Sequence, residues 1–466
     1  MGLFTGRARL AKGLRLLPLL ALIALAVPAG ASAATINVTT TTDELDEGER
    51  CSLREAVTAA NEDSIANAEG CPTAGEGEDT ILIQAGRFTL SRLAPPPNGE
   101  QTFENANLYG DLDILDAVRI VHRGIKPAII AQSRFFPGDR VLHVVGATEV
   151  TLQGLTITDG RTSGVGGGIL NGGDLTVANS LIVDNFAQFG GGIATEGEAA
   201  TTLVNTTLSD NRASEDGGGV SAEAGGTVDL RSVTVSGNEA DANRNGGGNG
   251  GGIFASTGAA AGTITLKNTL IAGNEDQGGE ADECARIGTG KITSLGHNLI
   301  ANTNGCGYTQ GSGDVLNRGA QLKPLAENGG ATQTHALRRG SPAINAGVGC
   351  PARDQRGLKR NLGGRRCDIG AWELARCRGV VINVIGTGGP ELLIGTEGAD
   401  GILGLGSSDT LRGLDGDDGL CGGGGSDLLV GGPGRDGLNG EGGRDTCRGG
   451  PGRDKKNISC ELPRRR

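Results

Sequence analysis

The 466-residue sequence predicts an all-β protein: a right-handed parallel β-helix followed by a small parallel β-roll. Three observations carry that prediction. Glycine fills 86 positions, against one Trp, two Tyr and eight Phe, so the aromatic side chains that most cores rely on are scarce. Four Gly-Gly-Gly-aliphatic corners recur at spacings of 24, 27 and 33 residues. From Gly386 onward the chain also divides into eight consecutive nonapeptides. A collagen triple helix is excluded, because only 15 Pro occur and no Gly-X-Y period runs through the chain. What remains is a repeat protein with a core of stacked small aliphatics.

Taken in chain order, residues 1–33 read as a secretory leader. Arg7, Arg9, Lys12 and Arg15 form its positive end, Leu16 to Val27 its apolar stretch, and Ala31-Ser32-Ala33 a small-residue cleavage site. The apolar run is shorter than the ~20 residues needed to span a bilayer, so the mature chain is expected outside the cell with no membrane span. Losing those four basic residues takes the formal charge from −12 to −16. Such a balance argues against nucleic acid, which calls for a basic surface, and favours cations. In an oxidising compartment the ten cysteines read as bridges. Their spacing suggests Cys51–Cys71, Cys284–Cys306, Cys350–Cys367, Cys377–Cys421 and Cys447–Cys460, although sequence alone leaves the connectivity open. Zinc is the alternative, but no CxxC or Cys/His cluster supports it.

Residues 34–110 are expected to form an N-terminal cap. The alternation Thr35-Ile36-Asn37-Val38 reads as a strand. Ser52 and Glu55 have capping-box spacing for a short helix after Cys51, and Thr80-Ile81-Leu82-Ile83 gives another strand. The segment Cys51-Ser-Leu-Arg-Glu-Ala-Val-Thr-Ala-Ala-Asn61 resembles the CSLREA domain found at the front of exported bacterial β-helix proteins. A cap is physically required there, because the first coil exposes apolar ends and strand edges.

Residues 111–309 carry the coils. The corners Gly166-Gly167-Gly168-Ile169, Gly190-Gly191-Gly192-Ile193, Gly217-Gly218-Gly219-Val220 and Gly250-Gly251-Gly252-Ile253 lead into alternating runs such as Leu175-Thr176-Val177. The runs end at Asp184-Asn185, Asp210-Asn211, Gly237-Asn238 and Gly273-Asn274. Asparagine tolerates left-handed φ and can hydrogen-bond the next coil. A single coil has no partner for its apolar face, so stacking must supply the core.

Residues 310–376 are expected to close the helix. Gly296-His297-Asn298-Leu299-Ile300, Asn328-Gly329-Gly330, Thr334-His335-Ala336-Leu337, Gly340-Ser341-Pro342-Ala343-Ile344-Asn345-Ala346-Gly347 and Cys367-Asp368-Ile369-Gly370-Ala371-Trp372-Glu373 together resemble the choice-of-anchor Q domain. That resemblance implies varied surface-attachment devices downstream, not catalysis.

Residues 377–466 hold the strongest signal. The nonapeptides match GGxGxDxUx, the repeat-in-toxin pattern of calcium-binding β-rolls. Position six supplies Asp400, Asp409, Asp418, Asp427, Asp436, Asp445 and Asp454, with Glu391 in the first unit. Position eight should point inward: Leu393, Ile402, Leu411, Leu420, Leu429, Leu438 and Cys447. Two units per turn would stack the carboxylates along two edges, about 5 Å apart, where they repel. A hard divalent cation with six to eight oxygen ligands relieves this, and Ca2+ fits better than Mg2+. All seven aspartates are therefore candidate metal ligands. Arg435, Arg444 and Arg453 at position five depart from the family pattern and are expected to weaken the last sites.

Catalytic signals are sparse. Parallel β-helices of the pectin-lyase-like type include lyases and mannuronan epimerases that combine Tyr, His, Asp and a basic residue. Here the Asp-Pro-His element of those enzymes is absent, and Tyr109 and Tyr308 are the only tyrosines. Of His122, His143, His297 and His335, the last two fall in choice-of-anchor motifs, where packing is the expected role. Asp111-Leu112-Asp113 places two carboxylates on one strand face, as a hydrolase could use or a cation-binding face would show. The expectation is a non-enzymatic, exported, calcium-stabilised structural or adhesin-like protein that touches a surface polysaccharide or another cell-surface protein. A polysaccharide lyase or epimerase is the alternative, favoured by an extended groove with a basic residue beside clustered carboxylates.

Overall fold

A computed structural model describes residues 33–461 other than 46–47, 64–69, 73, 76, 93–106, 135–137, 147, 259, 280–281, 361–365 and 457–458. The expected leader, up to Ser32, lies outside the described residues. Those residues form one compact unit that is almost entirely β, with a single helix, Leu53–Glu62. No helix among them is long and apolar enough to cross a membrane.

Successive coils supply strands to three parallel sheets, of nine, seven and nine strands, and some add a short strand to a fourth sheet of four. The aliphatic anchors read from the sequence are direct neighbours: Ile169 pairs with Ile193, Ile193 with Val220, and Val220 with Ile253. All four are fully buried. Register is therefore held at every rung, and the unequal spacings are absorbed by loops such as 241–249 between strands. The first glycine of each corner (Gly166, Gly190, Gly217, Gly250) takes a left-handed φ between +62° and +72°, a conformation that penalises any Cβ.

The Asx-Asn steps divide their labour. The left-handed φ belongs to the preceding residue, at Asp184 (56°), Asp210 (55°), Gly237 (77°) and Gly273 (77°). The asparagines instead form an interior ladder: Asn185 Nδ2 donates to Asn211 Oδ1 at 2.9 Å, Asn211 to Asn238 at 2.9 Å, and Asn238 to Asn274 at 2.8 Å. Glu283 ends the ladder by accepting from Asn274 Nδ2 at 2.7 Å.

The coils begin earlier than residue 111. Thr35–Asn37 pairs in parallel with Thr80–Leu82, which continues onto Val118–Val121, and Gly86–Leu90 pairs with Ala128–Gln132. Only part of 34–110 is thus a cap. Its helix carries the expected capping box: Glu55 N donates to Ser52 Oγ at 3.1 Å, and Ser52 N donates to Glu55 Oε2 at 2.8 Å. All five expected disulfides are present.

Beyond the last coil strand, Val315–Leu316, the chain turns back along the flank of the helix. The hairpin Leu322–Ala326/Thr334–Leu337 opens a region held on the coils by a buried apolar cluster, in which Leu337, Ile369 and Trp372 join Leu270 and Leu299, and by polar contacts. His335 Nε2 lies 3.0 Å from Ser209 Oγ, Thr207 Oγ1 donates to Gln355 Oε1 at 2.7 Å, and Ala371 N donates to Thr234 Oγ1 at 3.0 Å. Inside this region Arg356 pairs with Asp354 at 2.8 Å and stacks 4.6 Å from the Trp372 ring, and Arg360 pairs with Glu373 at 3.2 Å. The following roll reaches back far enough for Ile125 of an early coil to pack on its apolar core.

Candidate metal centre

The roll is built from strands stacked at an interval of eighteen residues, shortened to fifteen where Asp445 pairs with Cys460. Leu392–Ile394, Thr410–Arg412, Leu428–Val430, Asp445–Arg448 and Cys460–Glu461 form one sheet. Val380–Ile385, Gly401–Leu403, Gly419–Gly424, Gly437–Gly442 and Lys455–Lys456 continue the other. Two nonapeptides therefore make one turn. All seven position-eight side chains point inward and are at most 3% exposed. This core holds one residue per unit, so packing alone contributes little per residue.

The position-six carboxylates take over part of the structural work. From Asp409 onward, one oxygen of each accepts the backbone N–H of the equivalent residue one turn earlier. Asp409 Oδ1 takes Glu391 N at 2.8 Å, Asp418 takes Asp400 at 2.8 Å, and Asp427 takes Asp409 at 2.8 Å. Asp436 takes Asp418 at 3.0 Å, Asp445 takes Asp427 at 3.0 Å, and Asp454 takes Asp436 at 3.1 Å. The second oxygen sits over the first glycine of its own unit: a Cβ on Gly413, Gly422, Gly431 or Gly440 would lie only 2.1–2.2 Å from it. Glycine at position one is therefore a steric demand of the carboxylate.

That second oxygen divides the seven candidates. In Asp409, Asp418, Asp427, Asp436 and Asp445, Oδ2 is buried and has no hydrogen-bond partner, and the residues are 1–2% exposed. A buried carboxylate oxygen left in this state costs free energy unless a cation meets it. Asp400 differs. Its Oδ2 accepts Thr396 N at 2.6 Å and Thr396 Oγ1 at 2.9 Å, while its Oδ1 accepts Asn383 Nδ2 at 2.6 Å. Glu391 is likewise engaged by Thr387 through its N–H, at 2.6 Å, and its hydroxyl. Asp454 is half-buried in the last unit. The distinguishing sequence signal is position two: Thr387 and Thr396 in the first two units, and from the third unit onward residues that adopt left-handed φ (Leu405 75°, Leu414 77°, Gly432 121°). A threonine there turns the carboxylate into a cap for its own loop.

Burial, followed by repulsion from neighbouring carboxylates, raises Asp409 and Asp418 to about 6. Burial also raises Asp427 and Asp436. An all-oxygen, acidic and crowded donor set of this kind suits a hard cation. The position-five arginine of the sixth unit turns away from it: Arg435 is exposed and pairs with Asp417 at 2.8 Å. Its charge is thus paired at the surface.

The histidines mostly serve packing. His297 Nδ1 contacts Ala346 O at 2.9 Å, His335 Nδ1 contacts Lys323 O at 2.9 Å, and both ring nitrogens of His122 meet backbone carbonyls. Asp111 has Arg140 beside it, but Asp111 and Asp113 are 5% and 0% exposed. Polymer-sized substrates need carboxylates they can reach.

Comparison with known families agrees with this geometry. Residues 98–271 match the right handed beta helix region, and residues 385–420 and 422–455 each match the RTX calcium-binding nonapeptide repeat. No curated protein and no solved structure matches the chain.

Proposed function

We propose that this protein is an exported, calcium-stabilised rod of the cell surface or extracellular medium with an adhesin-like role, its coil flanks presented to a surface polysaccharide or another cell-surface protein. One observation carries the calcium part: five buried carboxylate oxygens without donors, repeated at the interval that stacks loop on loop. Asp409, Asp427 and Asp445 would hold ions on one edge, and Asp418 and Asp436 on the other. Bound Ca2+ supplies the positive charge that lets these stacked carboxylates stay ionised and buried. With so thin an apolar core, binding free energy becomes folding free energy. Extracellular modules of this kind bind with Kd on the order of 10⁻⁴–10⁻³ M, so the roll orders after export and not in a cytoplasm.

Calorimetric calcium titration of the full chain tests this. More than one ion should bind, and the combined Asp409→Asn, Asp418→Asn, Asp427→Asn, Asp436→Asn and Asp445→Asn variant should lose that heat. No calcium heat in the unmodified chain would overturn the reading. The adhesive role predicts calcium-dependent retention on an acidic polysaccharide without new unsaturated-uronate absorbance. Clear turnover would instead favour a lyase.

A further inference from the structure

A different set of ligand-bearing side chains lies in the early coils of the β-helix, under the cap. Strand Leu112–Ile114 buries Leu112 and Ile114 in the coil interior, and alternation turns Asp113 and the preceding Asp111 to the opposite face. The register pairs Asp113 with His143 of strand Leu142–Val144. His143 Nδ1 lies 3.2 Å from Asp113 Oδ1. One ligand atom each from Asp111, Asp113 and His143 falls within 4.8 Å of the other two. The cap encloses the group from above: Asn61 Nδ2 donates to Asp113 O at 2.7 Å and Arg54 Nη1 to Asp111 O at 2.9 Å. The His143 side chain stays 18% exposed, so the way in runs past the imidazole.

We propose that Asp111, Asp113 and His143 form a second metal site, independent of the roll, for a borderline divalent transition ion such as zinc. Two carboxylate oxygens and one imidazole nitrogen make a three-ligand set that leaves a coordination position for water. The nitrogen separates this site from the all-oxygen roll and disfavours calcium. Folding alone does not call for these residues. Further along the same register column the side chains are Leu170, Ala194, Ser221, Phe254 and Ala285, small or apolar and all buried. An acid and an imidazole occur only on the first two rungs, under the cap. Asp111 and Asp113 crowd two carboxylates together on this buried face, with Arg140 Nη1 at 3.4 Å from Asp111 Oδ2. A divalent ion would neutralise that crowding.

The test is zinc titration of the full chain in buffer saturated with calcium, so that the roll is already filled. One zinc per chain should bind. His143→Ala and Asp113→Asn should each weaken it at least tenfold, and Asp427→Asn in the roll should leave it unchanged. Cobalt in place of zinc gives a readout that needs no variant: visible d–d absorbance in the calcium-saturated wild-type chain. Absence of that absorbance, or an unaltered zinc isotherm in His143→Ala, would overturn the proposal.

Discussion

Between Asp400 and Asp427 the difference is a threonine hydroxyl and one backbone N–H, and it decides whether a carboxylate oxygen is left for a cation. Asp427→Asn should therefore lower the calcium stoichiometry by at least one ion. Asp400→Asn should leave the calcium isotherm within twofold of wild type. Side-by-side calorimetry of the two variants checks the pair. A separate residue-level prediction concerns Asp368, which accepts Asn345 N at 2.7 Å and Leu374 N at 2.6 Å, yet is raised to about 6 by burial and by Glu373. A carboxyl raised in the folded state holds its proton there while the unfolded chain has released it. Stability should accordingly fall as pH rises from about 4 to about 6, by up to ~3 kcal/mol from this group. Denaturant unfolding in calcium-saturated buffer across that range measures the slope. Asp368→Asn should flatten it, even though it costs absolute stability by removing one acceptor.

At the scale of elements, two ladders hold the coils and the roll in register. The asparagine ladder fills the corner of the β-helix with side chains that satisfy one another, so breaking one rung strands buried donors. Asn238→Ala removes the acceptor of both Asn211 Nδ2 and Asn211 N. Each orphaned group costs about 1–3 kcal/mol, and a loss on the order of 2–4 kcal/mol in β-helix stability is expected by thermal unfolding. In the roll the equivalent device is the position-one glycine. Gly422→Ala would place a Cβ 2.2 Å from Asp427 Oδ2, displacing the carboxylate from both its backbone donor and its cation. Calcium affinity should fall at least tenfold in equilibrium titration.

Over the whole molecule, two kinds of core stand side by side. The β-helix buries a continuous aliphatic cluster from Ile36 to Cys306, whereas the roll buries one apolar side chain per nonapeptide. Chelation should therefore release residues ~380–460 while the coils persist. Hydrogen exchange of the full chain, with and without chelator, is expected to show protection lost only in the roll; uniform protection in metal-free buffer would contradict it. The Cys377–Cys421 bridge ties the roll to the folded-back segment across 44 residues, a closure worth about 4 kcal/mol in the chain-entropy account. Its removal should raise the calcium concentration needed to order the roll.

The sequence by itself determined whatever repeats at short range. The nonapeptide period, the seven inward side chains, the glycine corners and the capping box were all legible, because each follows from local geometry or a fixed interval, while the spacing of the cysteines suggested the five pairs without fixing them. Tertiary structure alone decided the rest. Which oxygen of each aspartate is taken by the stack depends on the backbone N–H that the neighbouring turn presents to it. That Asp113 meets His143, thirty residues later, depends on the coil register. The return of the chain along the flank after Leu316 depends on the apolar cluster that Trp372 and Ile369 share with Leu270 and Leu299, and on polar contacts such as Thr207 with Gln355. These are long-range pairings, set by how the coils stack, and no local pattern in the chain encodes them.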